Sequence, residues 1–174
     1  TYLDRSESIL DQTHQSKEHY GSIYFNAGMF AETPALAEKN YRKVLAVLPA
    51  DQEWWHRERA QAHLAELLIK QARWDEALEL FPKNKLLTAP EELTVEKIYS
   101  AQEQWGNAEI HGLNAFKVAN LNEQKGSALD AALVLLNIYQ QLGKFEKAKI
   151  YQEFLIREAK SVPNWIKYNK HQLE

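Results

Sequence analysis

The sequence predicts an all-α fold, and three observations carry that prediction. Glycine and proline together number 11 of 174 residues, about half of average usage, so chain-breaking residues are scarce. Apolar side chains recur at three- and four-residue intervals, the period of a helix with one buried face. Cap signals stand where those periodic runs begin: Thr33-Pro34, Asp51, Thr88 with Glu91, and Ser127 with Asp130. With 45% hydrophobic and 26% charged residues, the chain has enough apolar side chains for a sizeable core and is not a disordered tail.

The elements follow in order. A leading helix is expected over residues 1–15, from Tyr2 to about His14, with Leu3, Ile9, Leu10 and Thr13 on one side. The next runs from about Ser16 to Met29, with Tyr20, Ile23, Tyr24 and Phe30 as its apolar positions. Gly21 and Gly28 fall inside it, and a close helix crossing is the reason to place glycine there. Thr33 caps, and Pro34 opens, a helix that reaches Leu48 and stops at Pro49. Asp51 caps a helix to about Ala72 through Trp55, Leu64, Leu67 and Leu68. Of Trp54 and Trp55 one faces the core and the other is partly exposed, because neighbours lie about 100° apart round a helix. Trp74-Asp75 starts a short helix ended by Pro82, and a polar connection runs from Lys83 to Ala89.

A helix is then expected from Pro90 to Gln104, a turn at Gly106-Asn107, and a helix to about Asn120 with Gly112 at another close crossing. Ser127 with Asp130 opens a nearly all-apolar helix to Leu142, Gly143-Lys144 turns the chain, and the next helix spans Phe145 to Ala159. A helix apolar all round is buried on more than one side, as an internal solenoid helix is, and the same pattern also allows Leu133 an exposed, adhesive groove or interface position. Pro163 ends the series, and a last short helix over 164–172 brings Trp165, Ile166 and Tyr168 to cap it.

Turns of two to four residues make paired helices antiparallel neighbours. Within the pairs, small and aromatic residues recur: Ala37, Tyr41 and Val44; Leu68, Trp74, Ala77 and Phe81; Tyr99, Trp105 and Ala108; Tyr139, Gly143, Phe145, Ala148 and Tyr151. The alanines Ala37, Ala77, Ala108 and Ala148 lie 40, 31 and 40 residues apart. The segments LLNIYQQLGKFEKAKIYQEFL (135–155), ELLIKQARWDEALELF (66–81) and AEKNYRKVLAVLP (37–49) carry the pattern best. Over residues 16–160 the chain resembles the tetratricopeptide repeat (TPR) family, whose repeat is about 34 residues. The resemblance implies a right-handed α-solenoid of antiparallel helix pairs, about four degenerate repeats plus flanking helices, in a single domain over 1–174. Thr1 without an initiator methionine leads to the expectation that this domain is excised from a longer polypeptide.

The resemblance also implies a function. First helices of the pairs line a concave groove that binds a protein or peptide and carries no chemistry of its own. Counting back from each small residue to the groove positions gives Asn26; Arg59, Glu66 and Lys70; Lys97; and Asn137, Gln140 and Gln141. The amides suit a peptide backbone and the cations suit acidic groups. The pattern that grips a chaperone's C-terminal carboxylate is absent, because only Asn26 and Lys97 match and Glu66 repels a carboxylate. Two further functions of other classes remain open: a ligand- or peptide-sensing domain of a signalling or transcription regulator, and an oligomerisation module that pairs copies of the chain.

Charge and composition narrow the field. The net charge is −3, and the most basic quarter, 127–174, holds seven basic against five acidic residues, so nucleic acid is excluded as a first partner. The longest purely apolar run, Ala131 to Leu136, is far short of the roughly 20 residues that span a bilayer. The absence of cysteine removes disulfides, thiolate metal sites and a cysteine nucleophile; it leaves the compartment open, with the cytoplasm favoured over the periplasm. His63 and Glu66 are three apart, and His14, Glu18 and His19 cluster near the start, but neither set has a complete ligand pattern, and no metal or cofactor is expected. Surface positions or helix-cap partnerships are the expected roles of the histidines. Acid pairs such as Glu91-Glu92 and Asp75-Glu76 read as solvated faces, and no phosphate loop or nucleophile motif marks an enzyme.

Overall fold

Among the described residues of the computed structural model, 17–49, 55–81 and 86–173, all regular structure is helical. The expected leading helix over 1–15, Asp51 and Trp54 lie outside them. The chain divides into two compact units, Thr1–Leu80 and Phe81–Glu174.

The first unit contains α1 (Lys17–Met29), α2 (Pro34–Val47), α3 (Trp55–Lys70) and the short α4 (Trp74–Glu79). Each packs on its successor, and α1 also touches α3. Glycine sets the approach of α1 to α2. A Cβ at Gly28 would stand 2.5 Å from Tyr41 Cε1, and one at Gly21 would stand 2.5 Å from Leu48 Cδ1. Both spaces are filled by the neighbour's side chain, as the sequence expectation of a close crossing requires. Thr33 Oγ1 accepts the Leu36 N–H at 3.3 Å, and Pro34 needs no partner for a missing N–H, so α2 starts where the sequence places it. At its other end, Arg57 donates to the carbonyls of Leu45 (2.6 Å) and Leu48 (2.5 Å), meeting orphan acceptors at the negative end of the helix dipole. Gln61 does the same for α4, donating to the Leu80 carbonyl at 2.9 Å. Phe30 departs from expectation. Helix α1 stops at Met29, so Phe30 enters the turn and is 85% exposed rather than packed.

The second unit contains α5 (Ala89–Ala101), α6 (Trp105–Leu121), α7 (Lys125–Gln141), α8 (Phe145–Glu158), a 3-10 turn (Ala159–Ser161) and α9 (Pro163–Leu173). The Thr88–Glu91 capping box forms: Thr88 N–H donates to Glu91 Oε2 at 2.8 Å and Glu91 N–H to Thr88 Oγ1 at 3.4 Å. The turns between α5, α6, α7 and α8 share one geometry. A residue with positive φ (Glu103 58°, Glu123 55°, Gly143 67°) ends each helix. The next N–H reaches back five residues: Gln104 to the Tyr99 carbonyl, Gln124 to Ala119 and Lys144 to Tyr139, at 2.8–2.9 Å. Five residues past each positive φ a buried alanine follows: Ala108, Ala128 and Ala148. The α3–α4 turn of the first unit repeats the pattern with Ala72 (φ 56°), Arg73 N–H to the Leu68 carbonyl, and buried Ala77.

This shared turn corrects two sequence expectations. Gly106-Asn107 is not a turn but the first turn of α6, because Glu103 already ends the preceding helix. Ser127 does not open a helix, because α7 begins two residues earlier at Lys125, behind Glu123. The same periodicity shows a further buried alanine, Ala128, that the 40-residue spacing hides. Leu133 is also corrected: it is 4% exposed and packs with Leu129, Ala132, Leu155 and Trp165. Trp165 closes this cluster as expected, with its indole N–H donating to Asp130 Oδ1 at 2.6 Å.

Candidate functional site

In the first unit, α3 carries Arg59, His63, Glu66 and Lys70 at helical spacing along one side. An open cavity of about 290 Å³ lies between this side and the α1–α2 turn. Glu66 and Lys70 line it together with His63 and Leu67 from α3, Ala37 and Tyr41 from α2, and Gly28, Met29, Ala31, Glu32, Thr33 and Pro34 from the turn region. Its aromatic wall is the stacked pair Tyr41 and His63, with centroids 5.6 Å apart and planes 17° apart. Phe25 braces both rings, at 6.2 Å from Tyr41 and 6.0 Å from His63.

The electrostatics follow from burial. Desolvation pushes the His63 imidazole below its ordinary range, partly opposed by the nearby Glu66 carboxylate, so a neutral ring is favoured. The Tyr41 hydroxyl is pushed up by burial and by Glu66, so it stays protonated near neutral pH. The acidic and basic side chains of the lining are Glu32, Glu66 and Lys70. His63 is therefore half-buried, not the surface histidine the sequence suggests.

The structure brings Glu66 and Lys70 to one cavity. Asn26 is exposed on α1 and is not part of its lining. Arg59 is exposed too, with its guanidinium 4.9 Å from the Trp55 ring centroid. Trp55 itself is 59% exposed although its ring meets Phe25 at 5.6 Å, so it spans core and surface.

In the second unit, Lys97, Asn137, Gln140 and Gln141 are exposed on α5 and α7. A cavity of about 380 Å³ lies elsewhere, between the α6–α7 turn and the C-terminal half of α8, with Asn120, Glu123, Lys125, Phe154, Arg157 and Glu158 on its walls. None of the four expected residues lines it. Helix α5 instead buries two carboxylates four residues apart. Glu92 is 8% exposed and accepts the His111 Nδ1–H at 2.6 Å, while the His111 ring stacks on Tyr99. Glu96 is 5% exposed and accepts from Ser100 Oγ. Burial raises its pKa, opposed by Ser100, Lys97 and His111. The solvated-face expectation for Glu91-Glu92 is thus wrong at Glu92 and gives way to a capping role at Glu91. The signal was present in the four-residue spacing of Glu92 and Glu96 beside Val95, which puts both on the helix's buried side. The partner His111, 19 residues on, carried no local mark.

No group of three His, Asp or Glu side chains gathers as metal ligands would, among the described residues. No described helix is long and apolar enough to cross a membrane. Neither a protein-family model nor a curated protein matches the chain.

Proposed function

We propose that the chain is a non-catalytic, TPR-like scaffold that binds a segment of a protein or peptide partner on its first unit. One observation carries this reading: the cavity unites Glu66 and Lys70, two of the expected groove residues, with the Tyr41–His63 stack in a lining of mixed polar and apolar groups. That combination suits a chain segment, which presents amides and side chains of mixed character at once. The chemistry of the wall favours binding over catalysis. Tyr41 is held protonated, His63 is stacked against it, and the Thr33 hydroxyl is engaged in capping α2.

The test is selection of random dodecapeptides on the immobilised chain, followed by affinity measurement on a variant with Glu66→Ala and Lys70→Ala. Enriched peptides are expected to lose at least tenfold in affinity on the double variant. Failure of any peptide to enrich, or equal binding to both proteins, overturns the reading.

A further inference from the structure

The second unit holds its last helix by one large side chain. Of residues 163–169 in α9, Trp165 is buried, Asn169 is half-buried, and Pro163, Asn164, Ile166, Lys167 and Tyr168 are exposed. Ile166 and Tyr168 therefore stay uncovered beside the anchor. Trp165 fills a slot whose walls are Leu129, Ala132 and Leu133 from α7, Leu155 from α8 and Ala159 from the 3-10 turn.

The slot selects its key by shape and by one hydrogen bond. Its walls are aliphatic and suit the face of a large ring. Asp130, next to Leu129 on α7, accepts the indole N–H on its Oδ1 at 2.6 Å. Burial pushes the Asp130 carboxyl up, and the indole N–H opposes that push. A phenylalanine or leucine in the slot would leave this acceptor without its donor. The slot is thus matched to tryptophan in particular.

The tether then decides what can occupy it. Only the 3-10 turn Ala159–Ser161 and Val162 join α8 to α9. The helix of another copy would find the same walls and the same acceptor, so docking within one chain and between chains makes the same contacts. The balance is set by the effective concentration of the tethered helix, on the order of millimolar for a short link. At low concentration each chain closes its own slot, and the surface is hidden until its resident helix loses the key.

From these observations we infer that the α7–α8 slot is a docking surface for a tryptophan-bearing helix, closed by α9 of the same chain and open to α9 of a second copy. Copies pair in this way where their local concentration approaches that of the tether. The inference is independent of the site in the first unit.

The test uses two full-length variants that complement each other. Trp165→Ala keeps the slot and loses the key. Asp130→Lys keeps the key and replaces the acceptor of the slot with a bulky cation. Light scattering after size exclusion, at high micromolar concentration, should give the mass of one chain for each variant alone and of two chains for their mixture. A fluorescein-labelled peptide of residues 161–174 then stands for the second copy's helix, and its binding is followed by anisotropy. It should bind Trp165→Ala at least tenfold more tightly than wild type, whose own α9 competes. Changing the peptide's tryptophan to alanine should weaken binding at least tenfold, and to phenylalanine at least threefold. Circular dichroism and thermal midpoints check both variants. If either perturbs the fold, Trp165→Phe serves as the receptor, and the peptide should prefer it to wild type at least threefold. A mixture of folded variants that keeps the mass of one chain, or peptide binding that is absent or indifferent to the loss of tryptophan, overturns the inference and leaves the first-unit reading standing.

Discussion

The two units solve the same packing problem with different parts. The second uses one turn three times, at positions 103, 123 and 143, each followed by a buried alanine that lets helices approach without a gap. The first combines glycines, rings and ion pairs. Gly21 and Gly28 admit neighbouring side chains, Phe25 gathers Tyr41, Trp55, His56 and His63, and Arg73 joins Glu38 to Glu76. Repetition of small residues leaves little to vary along the second unit's helix contacts. The first unit's cavity holds Glu66 and Lys70 beside the Tyr41–His63 stack, while the second unit's is lined by Glu123, Lys125, Arg157 and Glu158 and by none of the expected groove residues.

This contrast can be broken by substitution, and the largest effect is expected in the second unit's core. Leu135 is fully buried against Tyr139 and Ala148, so Leu135→Ala should cost about 2–5 kcal/mol in urea denaturation. Next is Gly28→Ala in the first unit. Its new methyl must displace the Tyr41 ring, and the expected loss is about 1–3 kcal/mol. Gly126→Ala, inside α7 with open space around the new Cβ, should instead gain about 0.5–1 kcal/mol. The opposite signs of these two glycine changes report whether a neighbour's side chain fills the space of the new Cβ. If Gly28→Ala is neutral, close crossing does not explain that residue.

Smaller effects probe the shared turn and its surroundings. Glu123 holds a left-handed conformation that glycine adopts without strain, so Glu123→Gly should gain about 0.5–1 kcal/mol, while Gly143→Ala should lose about 1 kcal/mol. The smallest concerns Glu109, which the Lys144 ammonium holds below the usual carboxylate range, with Tyr139 and Lys147 adding to the effect and burial opposing it. A depressed folded-state pKa adds stability above the unfolded carboxylate value of about 4.3, and this is lost as pH falls through the folded pKa. Glu109→Gln should thus cost up to about 1 kcal/mol at pH 7 and progressively less on acidification. A constant difference across that range would contradict the ion-pair account.

Much of the fold is legible in the sequence because its signals are local. Thr33-Pro34 and Thr88–Glu91 satisfy helix ends with atoms three residues away, so spacing alone identifies them. The left-handed turn is less legible where Glu103 and Glu123 occupy it, since glycine marks such a conformation and glutamate does not. Gly106 and Ser127 then draw attention three and four residues too late. The four-residue spacing of Glu66 and Lys70 puts both on one side of α3, and both line the first-unit cavity. The Tyr41–His63 stack depends on α2 meeting α3 across 22 residues of sequence, and Glu92–His111 depends on α5 meeting α6. No local pattern encodes those meetings.

The most direct test of the central claim compares one selected peptide on three proteins: wild type, the first-unit variant Glu66→Ala/Lys70→Ala, and the second-unit variant Asn137→Ala/Gln141→Ala. Isothermal titration should show at least a tenfold weaker Kd for the first variant and a change under twofold for the second. Equal affinity for wild type and the first variant, or loss confined to the second, would contradict the assignment of binding to the first-unit cavity.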